Sequence, residues 1–331
     1  MKTAHPPTLR VATERWPIAG AFTISRGSKT EAEVVVAEVS DGLYRGRGES
    51  VPYGRYGETA EGVSAAIAAL APQVARGLDR ADLQTLLPAG AARNALDCAL
   101  WDLAAKRARR PVHELAGVPP PAAHVTAFTI SLASPNVMAD AAAKAAHRAL
   151  LKVKLGQTGD PERIRAVRAA APRAELIVDA NEGWSAENLA ENLATCASVG
   201  VTLVEQPLPA ADDAALAAIP HPIPICADES VHDRATLAQL AGKYDAVNIK
   251  LDKTGGLTEA LALAQDAERM GFMLMVGCMI ATSLALAPAL LLAARARVVD
   301  LDGALLLARD RPHGLRYDDS RVHPAGPELW G

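Results

Sequence analysis

Charged residues close five apolar runs of this chain at nearly constant intervals. Lys154 ends ALLKVK, Asp179 ends the run in IVDAN, Glu205 that in LVEQP, Asp228 that in ICADES, and Lys250 ends AVNIK, at steps of 25, 26, 23 and 22 residues. A step of that size holds one strand, one helix and two short loops. Parallel strands joined by such units close into a (β/α) barrel, and residues at their carboxyl ends meet at one mouth, where such folds keep their active sites. Three acids and a set of lysines are thus aimed at one point.

Composition excludes little beyond this. A length of 331 residues leaves room for about two domains and a sizeable core. A net charge of −4 without a basic stripe argues against a nucleic-acid partner. The first twenty residues lack a continuous apolar segment and so do not read as a signal peptide. Cys98, Cys196, Cys226 and Cys278 stand far apart without CxxC spacing, which fits free thiols in a reducing cytoplasm. Homo-oligomerisation stays open.

The stretch Gly271 to Ala294 carries no charged residue and is long enough to span a bilayer. It nevertheless breaks into FMLMVG, a buried-strand pattern, then CMIATS, a polar turn, then a helix holding Pro288. Gly277 lies 27 residues after Lys250, and Asp300 lies 23 after Gly277. The stretch therefore reads as the seventh barrel strand with its loop and helix, a membrane span being the competing reading.

Changes of period organise the rest. TEAEVVVAEV from Thr30 alternates like a strand, and TERWPIAGAFTISRG before it reads as a strand interrupted by a loop. Residues Glu61 to Leu70 and Ala91 to Arg109 recur at helical spacing, with Pro111 ending the second. The Pro-rich GVPPPAAH, residues 117 to 124, is the best boundary. Asp160-Pro161-Glu162 looks like an N-cap with proline at the first helical position, and Gly200 and Gly271 sit where helices should stop. The expected fold is α/β: a modified TIM barrel, (β/α)7β, over 121–310, and an N-terminal α+β capping domain over 1–120, with the tail 311–331 packing back on it.

Asp179, Glu205 and Asp228 supply carboxylates with no His or Cys nearby, which suits Mg²⁺, with Mn²⁺ open, better than Zn²⁺. One acid after an apolar run usually caps a helix; three consecutive repeats bounded by lysines weaken that explanation. Lys152 and Lys154 point to the same face of their strand. Inside a barrel their ammonium groups need an anion, such as a substrate carboxylate. Lys250, four strands on, lies across the ring, so two bases could serve opposite faces of one carbon. Asp252 and Lys253 read as loop charges. Asp300 and Asp302, as D-x-D at the end of strand eight, face one side and suit a substrate ammonium, or else form a polar turn before Gly303.

The K-x-K pair, the acid set and the lysine of strand six resemble the muconate lactonizing enzyme subgroup of the enolase superfamily, across essentially the whole chain. NALDCALWDLAAK, VDANEGW, EQPLPA, CADES, NIKLDKTGGLTEALALA and DLDG are similar to L-Ala-D/L-Glu dipeptide epimerases. That resemblance implies an Mg²⁺-dependent isomerase of murein-type dipeptides, acting by 1,1-proton transfer through an enediolate with Lys154 and Lys250 as bases. It implies Arg26 in FTISRGS as the partner of the glutamate side chain, substrate contacts at Thr129 and Cys278, and a supporting position for Asn181. It places a closing loop at VPYGRYGE, residues 51 to 58. Ala281 departs from the pattern, since many relatives carry Glu in the corresponding MxET stretch. N-succinylamino acid racemase and o-succinylbenzoate synthase activities share the scaffold and stay open, as does a non-catalytic metal or peptide binder.

Overall fold

The computed structural model describes residues 6–331. Strands β1 (Thr8–Ile24), β2 (Gly27–Ser40) and β3 (Arg45–Ser50) form an antiparallel sheet. The interruption expected in TERWPIAGAFTISRG is a register shift within one long strand: pairing with β2 runs to Pro17 and resumes at Phe22. Proline lacks the N–H that a ladder needs, so an irregularity falls there. Against this sheet lies the helix Ala91–Ala108, buried along most of its length. Its close approach needs glycine at 46 and 48, where a Cβ would lie 2.1 Å from the carbonyl oxygens of Ala99 and Ala95.

The short strand β4 (His124–Val125) precedes the barrel strands β5 (Phe128–Ile130), β6 (Leu150–Lys154), β7 (Glu175–Asp179), β8 (Val201–Glu205), β9 (Ile225–Ala227), β10 (Ala246–Ile249), β11 (Met273–Gly277) and β12 (Val298–Asp300). Each pairs in parallel with the next, and the Ala127 N–H donates to Val299 O at 2.8 Å, joining the last strand to the first. This is the expected (β/α)7β ring. The segments after β8 and β9 are short 3-10 turns rather than full helices. The helix Asp160–Ala170 starts after Gly159, and the Asp160 carboxylate, expected as its cap, instead accepts from the Gly156 and Gln157 N–H groups and Trp184 Nε1.

The apolar stretch 271–294 resolves into β11 and the helix Ser283–Ala289, and no helix among the described residues is long and apolar enough to cross a membrane. Strands β13 (Arg316–Asp318) and β14 (Arg321–His323) form a hairpin that pairs with β4. The last residues return to the N-terminal helix, where Trp330 Nε1 donates to Cys98 O at 3.0 Å.

Alternation along the barrel strands sorts their side chains. Leu151, Val153, Val178, Val204, Ile225 and Ile249 face outward into the core shared with the helices. Ala127, Leu150, Ile177, Leu203, Cys226, Ala246, Met275 and Val298, one from each strand, pack together as the floor of the barrel.

Candidate active site

Two residues beyond each floor position comes the next inward layer: Thr129, Lys152, Asp179, Glu205, Asp228, Asn248, Gly277 and Asp300. Period-two alternation therefore turns an apolar floor into a polar ring without any change of backbone. A further step along β6 and its counterparts brings Lys154, Lys250 and Asp302. These groups are buried, against the ordinary preference of charged residues, and so must pair among themselves.

The carboxylates of Asp179, Glu205 and Asp228 each offer an oxygen within 4.8 Å of the others. Lys152 Nζ lies 2.6 Å from Glu205 Oε2, 2.7 Å from Asp300 Oδ2 and 3.1 Å from Asp179 Oδ2. Lys154 Nζ donates to Asp179 Oδ2 at 2.6 Å, and Lys250 Nζ donates to Asp228 Oδ2 at 2.6 Å. Burial favours the neutral amine form of Lys152, but Asp300, Glu205 and Asp179 outweigh it and hold the group well above the ordinary lysine range. For Lys250 burial is likewise overcome, chiefly by Asp228. Burial and the neighbouring Asp179 push Glu205 up to about 8. Burial acts on Asp179 in the same sense, but Lys154 and Lys152 keep it below the usual carboxylate range. An all-oxygen, fully buried set of three carboxylates that raise one another's charge cost fits a hard divalent cation.

A cavity of about 670 Å³ opens above this ring. Phe22 and Arg26 at the tip of the β1–β2 hairpin, Tyr53 and Tyr56 of the loop 51–58, and Thr129, Cys278, Asp300 and Asp302 of the barrel all line it. Asp302 Oδ2 accepts from the Thr129 N–H at 2.7 Å, and burial, reinforced by Asp300, lifts its carboxyl to about 7. Arg26 spreads its fork over the rim. Nη1 donates to Asn181 O at 2.7 Å and to Glu182 Oε2 at 3.1 Å, while Nη2 donates to Tyr53 OH at 2.9 Å and to Glu229 Oε1 at 2.6 Å. The loop 51–58 is tied down at its tip by Arg55 to Glu182 and by Tyr56 stacked edge-on against His232, centroids 4.5 Å apart.

Four contributions escaped sequence reasoning. Lys253, read as a loop charge, is 1 % exposed, and its Nζ meets Asp228 Oδ1 at 2.6 Å, because the turn Leu251–Thr254 brings it back to the carbonyls of Asp228 and Asn248. Asp252, read the same way, is buried and accepts from the Val51 N–H at 2.9 Å and Asn94 Nδ2 at 2.8 Å, pinning the start of the loop 51–58. Asn248 donates to Glu205 Oε1 at 2.7 Å. Its place two residues before Lys250 was the available signal, since alternation puts both on the inner face. Gln206, next to Glu205, accepts from the Asp228 N–H at 2.8 Å and so ties two carboxylate-bearing strands together.

Residues 7–117 match the mandelate racemase / muconate lactonizing enzyme N-terminal domain, and residues 137–327 match the enolase C-terminal domain-like model. The chain belongs to the mandelate racemase and muconate lactonizing enzyme family. Within this family it is 51 % identical to the L-Ala-D/L-Glu epimerase of Escherichia coli K12, over 96 % of this chain and 99 % of that protein. It is 46 % identical to the N-acetyl-D-glutamate racemase of a Pseudoalteromonas species, over 90 % and 95 %. The crystal structure of an enolase family member from Agrobacterium tumefaciens, described as having homology to dipeptide epimerases and bound to sodium and L-Ala-L-Glu with an ordered loop, is 56 % identical. It superposes with a TM-score of 0.97, covering 98 % of this chain and 100 % of that one.

Proposed function

We propose that this chain epimerises dipeptides at the α-carbon of their C-terminal residue, with L-Ala-D/L-Glu as its substrate pair. The observation that carries the reading is the placement of Lys154 and Lys250 on β6 and at the end of β10. They stand four strands apart in an eight-stranded ring and flank one carboxylate cluster under one cavity. Binding alone needs no base on each side. The names of the Escherichia coli and Agrobacterium relatives support the substrate, as do a guanidinium at the rim for a side-chain carboxylate and two acids at the end of β12 for an ammonium group.

Asp179, Glu205 and Asp228 would hold Mg²⁺ or Mn²⁺, whose charge would offset that developing on the substrate carboxylate as the α-proton leaves. Carboxylates that spend their charge on a cation would hold the lysine side chains less tightly and leave them free to face the substrate. Lys152 then turns toward the substrate carboxylate. Lys154 takes the proton from one face and Lys250 delivers one to the other, and the roles exchange for the reverse reaction. Thr129 and Cys278 line the wall beside the substrate backbone, and Asn181 supports Asp179 through its N–H, 2.9 Å from Oδ1.

A second reading is racemisation of an N-acylated amino acid. It is supported by the Pseudoalteromonas relative and by the resting pairings of Asp300 with Lys152 and of Asp302 with the Thr129 N–H, which leave no acid wholly free for an ammonium. Proton NMR in D₂O with Mg²⁺, on L-Ala-L-Glu, L-Ala-D-Glu, N-acetylglutamate and N-succinylamino acids, separates the two. Loss of the glutamate α-proton with growth of the other diastereomer, abolished by EDTA, is the expected result; turnover of the N-acyl compounds alone would overturn the dipeptide reading.

A further inference from the structure

The three clustered carboxylates divide their oxygens in one pattern. Asp179 Oδ1 accepts from the Asn181 N–H at 2.9 Å, Glu205 Oε1 from Asn248 Nδ2 at 2.7 Å, and Asp228 Oδ1 lies 2.6 Å from Lys253 Nζ. The remaining oxygens lie 2.6 Å from Lys154, Lys152 and Lys250 respectively. One oxygen of each acid therefore goes to a group that the proposed reaction does not use, and the other to a lysine that it does.

Lys253 differs from the other three lysines in having nothing left to give. An ammonium has three donors, and those of Lys253 reach Asp228 Oδ1, Asp228 O at 2.5 Å and Asn248 O at 3.0 Å. Two of these are backbone carbonyls that cannot turn away. Asn248 is fully buried on the neighbouring strand. Lys253 and Asn248 thus form one buried unit, joined by the bond to Asn248 O, that holds Glu205 and Asp228, and neither of the two lines the cavity.

Resting on the reading that Asp179, Glu205 and Asp228 hold a divalent cation, we infer that Asn248 and Lys253 are positioning residues for that cation. They immobilise one oxygen of Glu205 and one of Asp228, so that each acid presents a single oxygen at a set angle. Lys253 also stays beside Asp228 when the other lysines move to substrate, because two backbone carbonyls hold its Nζ. Outer partners of this kind orient metal ligands, and their loss commonly weakens binding about 10- to 100-fold.

The test is calorimetric titration of the full chain with Mg²⁺, without substrate, on wild type, Lys253→Met, Asn248→Leu and the milder Asn248→Ser, with circular dichroism to confirm folding. Asp97→Asn, at a buried acid of the N-terminal helix that is hydrogen-bonded to Thr258 and to none of the three clustered carboxylates, serves as a control for altering a buried acid elsewhere. The expected result is a 10- to 100-fold rise in Kd for the Lys253 and Asn248 variants that fold, with no change for Asp97→Asn. Electron paramagnetic resonance of bound Mn²⁺ should change in the same variants. Wild-type affinity retained in folded Lys253→Met or Asn248→Ser would overturn the inference alone, as would an equal loss in Asp97→Asn. Failure of the wild type to bind Mg²⁺ would overturn the metal reading itself.

Discussion

Gly277 makes room for Asn248: a Cβ at Gly277 would lie 2.6 Å from the Asn248 side-chain oxygen and 2.8 Å from its nitrogen. Both residues belong to the inward layer of adjacent strands, where Asn248 has no free space to turn into. Gly277→Ala should therefore displace the amide from Glu205, at a cost of about 1–3 kcal/mol for overpacking. Denaturant midpoints and Mg²⁺ titration check this. Wild-type values for both would show that the asparagine yields freely.

The two lysines should separate cleanly by variant. In Lys250→Ala, net epimerisation should fall by at least about 10²–10⁴-fold, the worth of a positioned acid or base, while deuterium still enters one epimer through Lys154. Lys154→Ala should show the mirror behaviour with the other epimer. Proton NMR in D₂O on each pure diastereomer measures both, and two-way epimerisation in Lys250→Ala would remove that lysine from the reaction.

Arg26 should matter for glutamate and little for turnover in general. A charge-assisted bond of this kind contributes about 1.5–3 kcal/mol, so Arg26→Ala should lower kcat/KM for L-Ala-Glu by about 10- to 100-fold. Dipeptides with neutral C-terminal side chains should change far less. An unchanged ratio between the two substrate types would assign Arg26 only to its contacts with Glu182 and Glu229.

Acid should stabilise the packing of the N-terminal helix around Asp97. Burial raises this carboxyl to about 6 in spite of hydrogen bonds from the Thr258 hydroxyl and N–H. A folded-state value above the unfolded one means that the native protein binds the extra proton. The contribution is therefore full below about pH 4 and is lost as pH rises through about 6. At about 1.4 kcal/mol per unit, the loss across that window is on the order of 3 kcal/mol. Thermal melts of wild type against Asp97→Asn from pH 4 to 7 should converge at the acid end and diverge toward neutrality; parallel curves would refute the assignment.

The barrel was legible because its evidence is local. Apolar runs ending in a charged residue at intervals of 22 to 26 residues specify strand, helix and direction, and alternation says which side chains share the inner face. Lys152, Lys154, Asp179, Glu205, Asp228, Lys250 and Asp300 could be aimed at one mouth on that basis alone. Asn248 was equally readable from its place in NIK and was passed over, since an amide carries no charge to draw attention.

Other features had no local signal. Asp252 and Lys253 look like any charges after a strand, and only the turn that carries them aims one at Asp228 and the other at the start of the loop 51–58. The bond from Lys152 to Asp300 joins residues 148 apart, and that from Arg26 to Glu229 joins residues 203 apart. The sequence by itself determined the period, the direction of the strands and the chemistry delivered to the barrel mouth. The tertiary structure decided which oxygen meets which nitrogen, because those pairings depend on strand register, ring closure and the seating of the β1–β2 hairpin, none of which is a property of neighbouring residues.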